Sequence, residues 1–169
     1  MFVWSETITL APREIGAAEQ SAWRELGVQA AEPNPFYEPE FIMPAFRRLR
    51  LRGAGLRVVR EGRDWIACLP VHAAAVANAS VIGLWHRYIP LCTPLIRSDR
   101  LEPGARGLLA GRRDGAAPVV AMQRISGDGP VEGALTSAGA QLGLRRAWEH
   151  RVARAAERPL ADPGPGVNP

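Results

Sequence analysis

Lysine is absent from this chain. All 21 basic residues are arginine, set against 17 acidic ones, for a formal net charge of +4 and a pI of about 10.0. The surplus does not by itself mark a nucleic-acid protein, because arginine never titrates in the usual range and both signs are interspersed along the chain. The plainer reading of an arginine-only chain rich in Ala, Gly and Pro is the coding bias of a GC-rich genome. One run carries arginines with no acid between them: Arg47, Arg48, Arg50, Arg52, Arg57 and Arg60. No aromatic residue interleaves it, as a single-strand binder requires. A solvated helix end is expected there, and no nucleic acid as partner.

Cysteine is scarce, with Cys68 and Cys92 alone. That excludes a disulfide framework, and the spacing fits no zinc motif. Both lie in apolar runs, so buried, inert thiols are expected. The three histidines, His72, His86 and His150, are not spaced with other ligand types as a metal site needs, so no metal is expected. No apolar run approaches the length of a membrane span. The opening Met-Phe-Val-Trp-Ser-Glu lacks a basic region and a long apolar core, so a signal peptide is not expected. A cytoplasmic protein with no membrane span is the resulting expectation.

What is present suits one globular domain: 169 residues, 47% hydrophobic and 22% charged. Residues 1–157 read as that domain, and the Pro- and Gly-rich residues 158–169 as a disordered tail. The centre is the stretch 81–96, Val-Ile-Gly-Leu-Trp-His-Arg-Tyr-Ile-Pro-Leu-Cys-Thr-Pro-Leu-Ile. Its first part, 81–89, reads as a strand, broken at Pro90 and Pro94. Before it, 56–60 and 65–76 form a hairpin around Glu61-Gly62-Arg63-Asp64, and 78–80 form the next turn. Residues 2–10 read as the first strand. A helix over 13–27 is stopped by Gly27, with Ile15, Ala18, Ala22, Trp23 and Leu26 on one face. A second helix opens at Pro39, and Pro44 is expected to kink or delay it. Further on come a helix over 103–113, a strand over 117–125, a turn at 126–129, a helix from Pro130 to 142, and a final strand over 144–153. The fold class is α/β, a mixed α+β sheet in the order β-α-α-β-β-β-α-β-α-β.

That order resembles the acyl-CoA N-acyltransferase fold of the GNAT superfamily. Trp23-Arg24-Glu25-Leu26 followed by Asn34-Pro35-Phe36-Tyr37-Glu38-Pro39-Glu40-Phe41 resembles the opening of its FemAB-like, cellulose-biosynthesis-protein-D-like members. Cys68-Leu69-Pro70-Val71 and His86-Arg87-Tyr88-Ile89-Pro90-Leu91-Cys92-Thr93-Pro94-Leu95 are similar to two of their strands. The resemblance covers residues 23–157 and matches the first half of the usual tandem. It implies acyl transfer from acyl-CoA, acetyl-CoA included, to an amine or amino sugar. It also implies a small-molecule, glycan or peptide acceptor and a second acyltransferase-like half as partner, in envelope or exopolysaccharide modification.

In that family the pyrophosphate rests on backbone N–H groups at a helix start, a setting that favours anions. The matching segment here is Arg100-Leu101-Glu102-Pro103-Gly104-Ala105. The resemblance makes Arg100, Gly104 and Ala105 the cofactor-binding residues. Pro103 stands in place of the first glycine and has no N–H to donate, and Glu102 adds a like charge. The segment therefore reads as a degenerate seat, non-binding or weakly binding. A non-catalytic module that binds an acceptor or a separate catalytic half is the competing reading. Ser126-Gly127-Asp128-Gly129-Pro130 nearly mimics a dinucleotide loop, but its spacing suits a Pro-initiated helix instead. Of the residues near the end of strand 81–89, Tyr88 can serve as a general acid and His86 as a base toward an amine. Each also has a plain structural reading.

If the hairpin and the second helix bury the faces assigned to them, Trp65→Ala and Phe46→Ala should each cost about 3–5 kcal/mol. Denaturant melts read this directly, and losses well below that range would mean these faces are misassigned.

Overall fold

A computed structural model describes residues 5–49, 51–72, 81–84, 86–110 and 120–145. The expected turn at 78–80, most of the expected strand over 144–153 and the tail 158–169 lie outside the described residues.

The sheet begins with β1 (Ser5–Leu10), which pairs antiparallel with β2 (Gly55–Glu61). β2 forms the expected hairpin with β3 (Asp64–His72), turning at Gly62 with φ 63°. That left-handed conformation suits glycine, which carries no Cβ to clash. β3 is buried along nearly its whole length, as its unbroken apolar run requires. Its far edge is shared by two short strands, β4 (Val81–Gly83) and β5 (Leu95–Ile96), both antiparallel to it. β6 (Val120–Ala121) then lies parallel to β4. The sheet is six-stranded, in the order β1-β2-β3-β4-β6 with β5 also on β3. The result is a mixed α/β fold in which an antiparallel meander is followed by a crossover to a parallel strand.

The helices form two packed pairs, α1 (Ala17–Gln29) with α2 (Pro39–Leu49) and α3 (Leu101–Leu109) with α4 (Pro130–Gln141). The first helix differs from expectation at both ends. A 3-10 turn, Pro12–Glu14, precedes it, and Gly16 opens it with its N–H on the Glu19 carboxylate at 2.9 Å. Gly27 lies inside it rather than after it, and Ala18 is exposed while Trp23 and Leu26 are buried. Pro44 does not stop α2. It lies on the exposed side, and the Glu40 carbonyl that it leaves without a donor is on an exposed residue. Ile42, Met43 and Phe46 carry that helix into the core.

The arginine run divides. Arg47, Arg48 and Arg52 are exposed, as expected of a solvated helix end. Arg57 is not: it sits within β2, only 6% exposed. Its guanidinium donates to the carbonyl of Ala110, the residue closing α3, where the helix dipole favours a cation. Burial lowers its pKa, and its Nε finds no acceptor among the described residues.

α3 approaches the sheet through two glycines. A Cβ on Gly104 would stand 2.6 Å from Cγ2 of Ile96, and one on Gly107 2.5 Å from Cγ1 of Val59. The Thr7 hydroxyl donates to the Gly107 carbonyl at 3.0 Å, pinning the helix to β1. Gly104→Val should therefore destabilise by about 1–3 kcal/mol through overpacking, while Gly133→Ala, which meets nothing within 4 Å, should not. Equal melting midpoints for the two variants would contradict this packing.

Candidate functional site

The edge of β3 carries a break. Val71 pairs with Gly83, and the Leu84 N–H donates to the Pro70 carbonyl at 2.7 Å. Leu95 then pairs with Cys68. Residues 86–94 thus lie off the β3 ladder, opposite Leu69 alone. The expected strand over 81–89 ends at 83 for this reason. Pro70 has no N–H, so the returning ladder bond to the Leu84 carbonyl cannot form.

Two other groups fill the gap. The Tyr37 hydroxyl donates to the Leu84 carbonyl at 2.9 Å, and the Cys92 thiol lies 3.5 Å from the same oxygen. Tyr37 is wholly buried, and its own carbonyl accepts from the Trp23 indole N–H at 2.8 Å. Burial, with Cys92 second, raises the Tyr37 phenol well above its ordinary range. Burial also raises both thiols; for Cys92 the Tyr37 hydrogen bond partly offsets it. Both thiols are free and buried, as the composition implied.

Asn34 holds the loop from below. Its side-chain amide donates to the carbonyls of Thr93 at 2.8 Å and Leu91 at 3.2 Å, while its oxygen accepts from Phe36 N–H. The Asn-Pro-Phe-Tyr stretch is therefore a scaffold for the strand break. Sequence periodicity could not reveal this, because the partners lie 57 and 59 positions away.

The excursion meets the loop after β6. Cys92 N–H donates to the Arg124 carbonyl at 3.1 Å, and Ser126 N–H to the Thr93 hydroxyl at 2.8 Å. Arg124 and Asp128 both hold positive φ, 51° and 63°. Asp tolerates this; for Arg it is a strained conformation of the kind concentrated at working sites. Glu32 closes the assembly by accepting the Val131 N–H at 2.9 Å at the start of α4, so close to Gly129 that a Cβ there would overlap its carboxylate. Together these segments line the carboxyl ends of the parallel pair β4 and β6. In open α/β sheets that is where ligands bind.

The expected catalytic pair sits at the tip of the excursion. His86, Arg87, Tyr88 and Ile89 form a tight turn closed by Ile89 N–H on the His86 carbonyl at 2.7 Å. Ile89 is buried and anchors the turn, while Tyr88 is 63% exposed. The His86 and Tyr88 rings lie 5.1 Å apart, and the Arg87 guanidinium stands 4.9 Å from the Tyr88 ring centre. The expected cofactor residues sit elsewhere, near the β2–β3 turn. Arg100 pairs with Glu61 at 3.2 Å and with Asp99 at 3.3 Å. Asp99, hydrogen-bonded by Arg97, has its carboxyl held at about 2. Gly104 and Ala105 are buried, with Gly104 against Ile96 and Ala67. The two groups are not brought together: the tip departs opposite Leu69, whereas Arg100 stands beside Glu61.

Among the described residues no cluster of three potential metal ligands occurs, and no helix is long and apolar enough to cross a membrane. Compared with protein-family models, curated proteins and solved structures, the chain matches none.

The raised pKa of Tyr37 links stability to pH. Its contribution is fully present below the unfolded value of about 10 and is lost as pH rises beyond it. Tyr37→Phe should cost about 1–3 kcal/mol at neutral pH, by leaving the buried Leu84 carbonyl short of a donor. It should also fall less steeply than wild type in urea midpoints measured above pH ~10. Parallel slopes for the two proteins would show that Tyr37 is not the titrating group.

Proposed function

We propose that this chain is an acyltransferase-type domain that works at the carboxyl ends of β4 and β6, moving an acyl group from acyl-CoA to an amine or amino-sugar acceptor. The observation that supports it most is topological. A hairpin is followed by a strand that parts from its neighbour, then a helix, a strand and a second helix, the element order on which the sequence resemblance to GNAT and FemAB-like proteins rests. Direct attack of an amine on the thioester forms the new amide bond, expels the CoA thiolate and releases one proton from the nitrogen. In this reading His86 takes that proton on Nδ1, whose hydrogen bond from the Tyr88 N–H is long at 3.4 Å, and the Tyr88 hydroxyl supplies one to the departing sulfur. Both groups belong to one turn, with their rings 5.1 Å apart.

A second reading, a non-catalytic module that binds an acceptor or pairs with a separate catalytic half, draws on the Arg100 segment. Its guanidinium is engaged by Glu61 and Asp99, its glycine is packed against Ile96, and Pro103 offers no N–H. Calorimetric titration with acetyl-CoA and with a long-chain acyl-CoA decides between them. The acyltransferase reading expects saturable heat from at least one of the two; loss of that heat in Arg100→Ala would seat the CoA at the start of α3, and its retention would seat it at the ends of β4 and β6. No heat from either ligand would leave the non-catalytic module.

A further inference from the structure

The turn at the tip of the excursion is a set of donors that no acceptor among the described residues opposes. The Tyr88 backbone N–H lies 3.4 Å from Nδ1 of His86, which makes that nitrogen the acceptor of the ring. In neutral imidazole the proton then sits on Nε2, so the free edge of His86 is a donor. Arg87 projects next to it. Its partner is the face of Tyr88, which orients a cation without satisfying any of its N–H groups. Four other arginines are held by carboxylates, Arg24 by Glu40, Arg60 by Glu6, Arg97 by Asp99 and Arg100 by Glu61, while Arg47, Arg48 and Arg52 lie exposed around the end of α2. Among the described residues no carboxylate stands within ion-pairing distance of Arg87, and the Tyr88 hydroxyl adds a third free donor.

The platform carrying these donors is rigid at its base. Ile89 is buried, the turn is closed by its N–H, and the loop behind it is held by Asn34, Cys92 and Thr93. Donors held in place lose less entropy on binding than donors on a free chain. A guanidinium beside two further donors suits a planar or tetrahedral oxyanion, which accepts from several N–H and O–H groups at once.

We infer that the His86–Arg87–Tyr88 tip is an oxyanion-recognition site, and that the acceptor brought to this surface carries a carboxylate or phosphate group held by Arg87. The assignment of that anion to the acceptor rests on the acyltransferase-type reading; the anion site itself does not.

The test is an NMR titration of the His86 and Tyr88 ring signals with acetate and with inorganic phosphate, against sodium chloride at matched ionic strength. The inference expects saturable ring shifts with at least one of the two oxyanions and none with chloride. Saturation by acetate alone assigns a carboxylate, and by phosphate alone a phosphate. Arg87→Gln should weaken the effect at least tenfold, and Tyr88→Leu, which removes the ring beneath the guanidinium, should weaken it too. Arg63→Gln, at the exposed β2–β3 turn, should leave it unchanged. Shifts reproduced by chloride, or retained in full by Arg87→Gln, would overturn the site. Oxyanion binding without any acyl-CoA binding would keep the site and discard the acyltransferase reading, so the two failures are distinguishable.

Discussion

A missing N–H at Pro70 shapes this protein. β3 runs through the middle of the sheet, and a proline there deprives its neighbour of one ladder bond. A buried carbonyl without a donor costs about 1–3 kcal/mol, so the strand facing Pro70 needs a donor from outside the sheet. Tyr37 provides it, and that single hydroxyl fixes much else. To place a phenol in the sheet edge, the Asn-Pro-Phe-Tyr loop must be held, which Asn34 and the Trp23 indole do. Through Trp23, α1 is tied to the same point. The N-terminal helices and the broken strand are thus parts of one constraint.

The break also governs the course of the chain beyond it. With residues 86–94 outside the ladder, β5 can rejoin β3 at Cys68 and deliver the chain to α3. That helix lies close to the sheet because Gly104 and Gly107 present no side chain to Ile96 and Val59. β6 then returns beside β4 in parallel, and the loop after it meets the excursion at Arg124 and Ser126. The exposed tip is consequently mounted on buried supports from three separate stretches of chain. An isolated loop of this length would not hold three donors in one place.

Local signals make most of the framework legible. The hairpin around Gly62, α2 behind Pro39 and α4 behind Pro130 all arise from turn chemistry and periodicity close in sequence. The strand over 81–89 reads too long in sequence because its composition favours extended chain throughout. The residue that ends it, Pro70, lies on a different strand, and no reading of 81–89 alone contains that fact. Arg57 groups with the solvated arginines in sequence for the same reason: its burial depends on the closing end of α3 arriving above β2. His86 and Tyr88 are legible as neighbours, but the orientation of Arg87 between them comes from the turn, which only the tertiary anchoring of Ile89 creates.

Glycine in a ligand-facing pattern and glycine in a packing contact look identical in sequence, and an added Cβ separates them. At Gly104 that Cβ meets Ile96 and Ala67, both in the core, so the helix–sheet contact accounts for the residue in full. Arg100 is likewise accounted for by Glu61 and Asp99. At the tip of the excursion neither packing nor an ion pair accounts for the side chains: Tyr88 is left in solvent and Arg87 has no opposing acid among the described residues. Within the described surface, that places the case for recognition on the turn at 86–89 rather than on the start of α3.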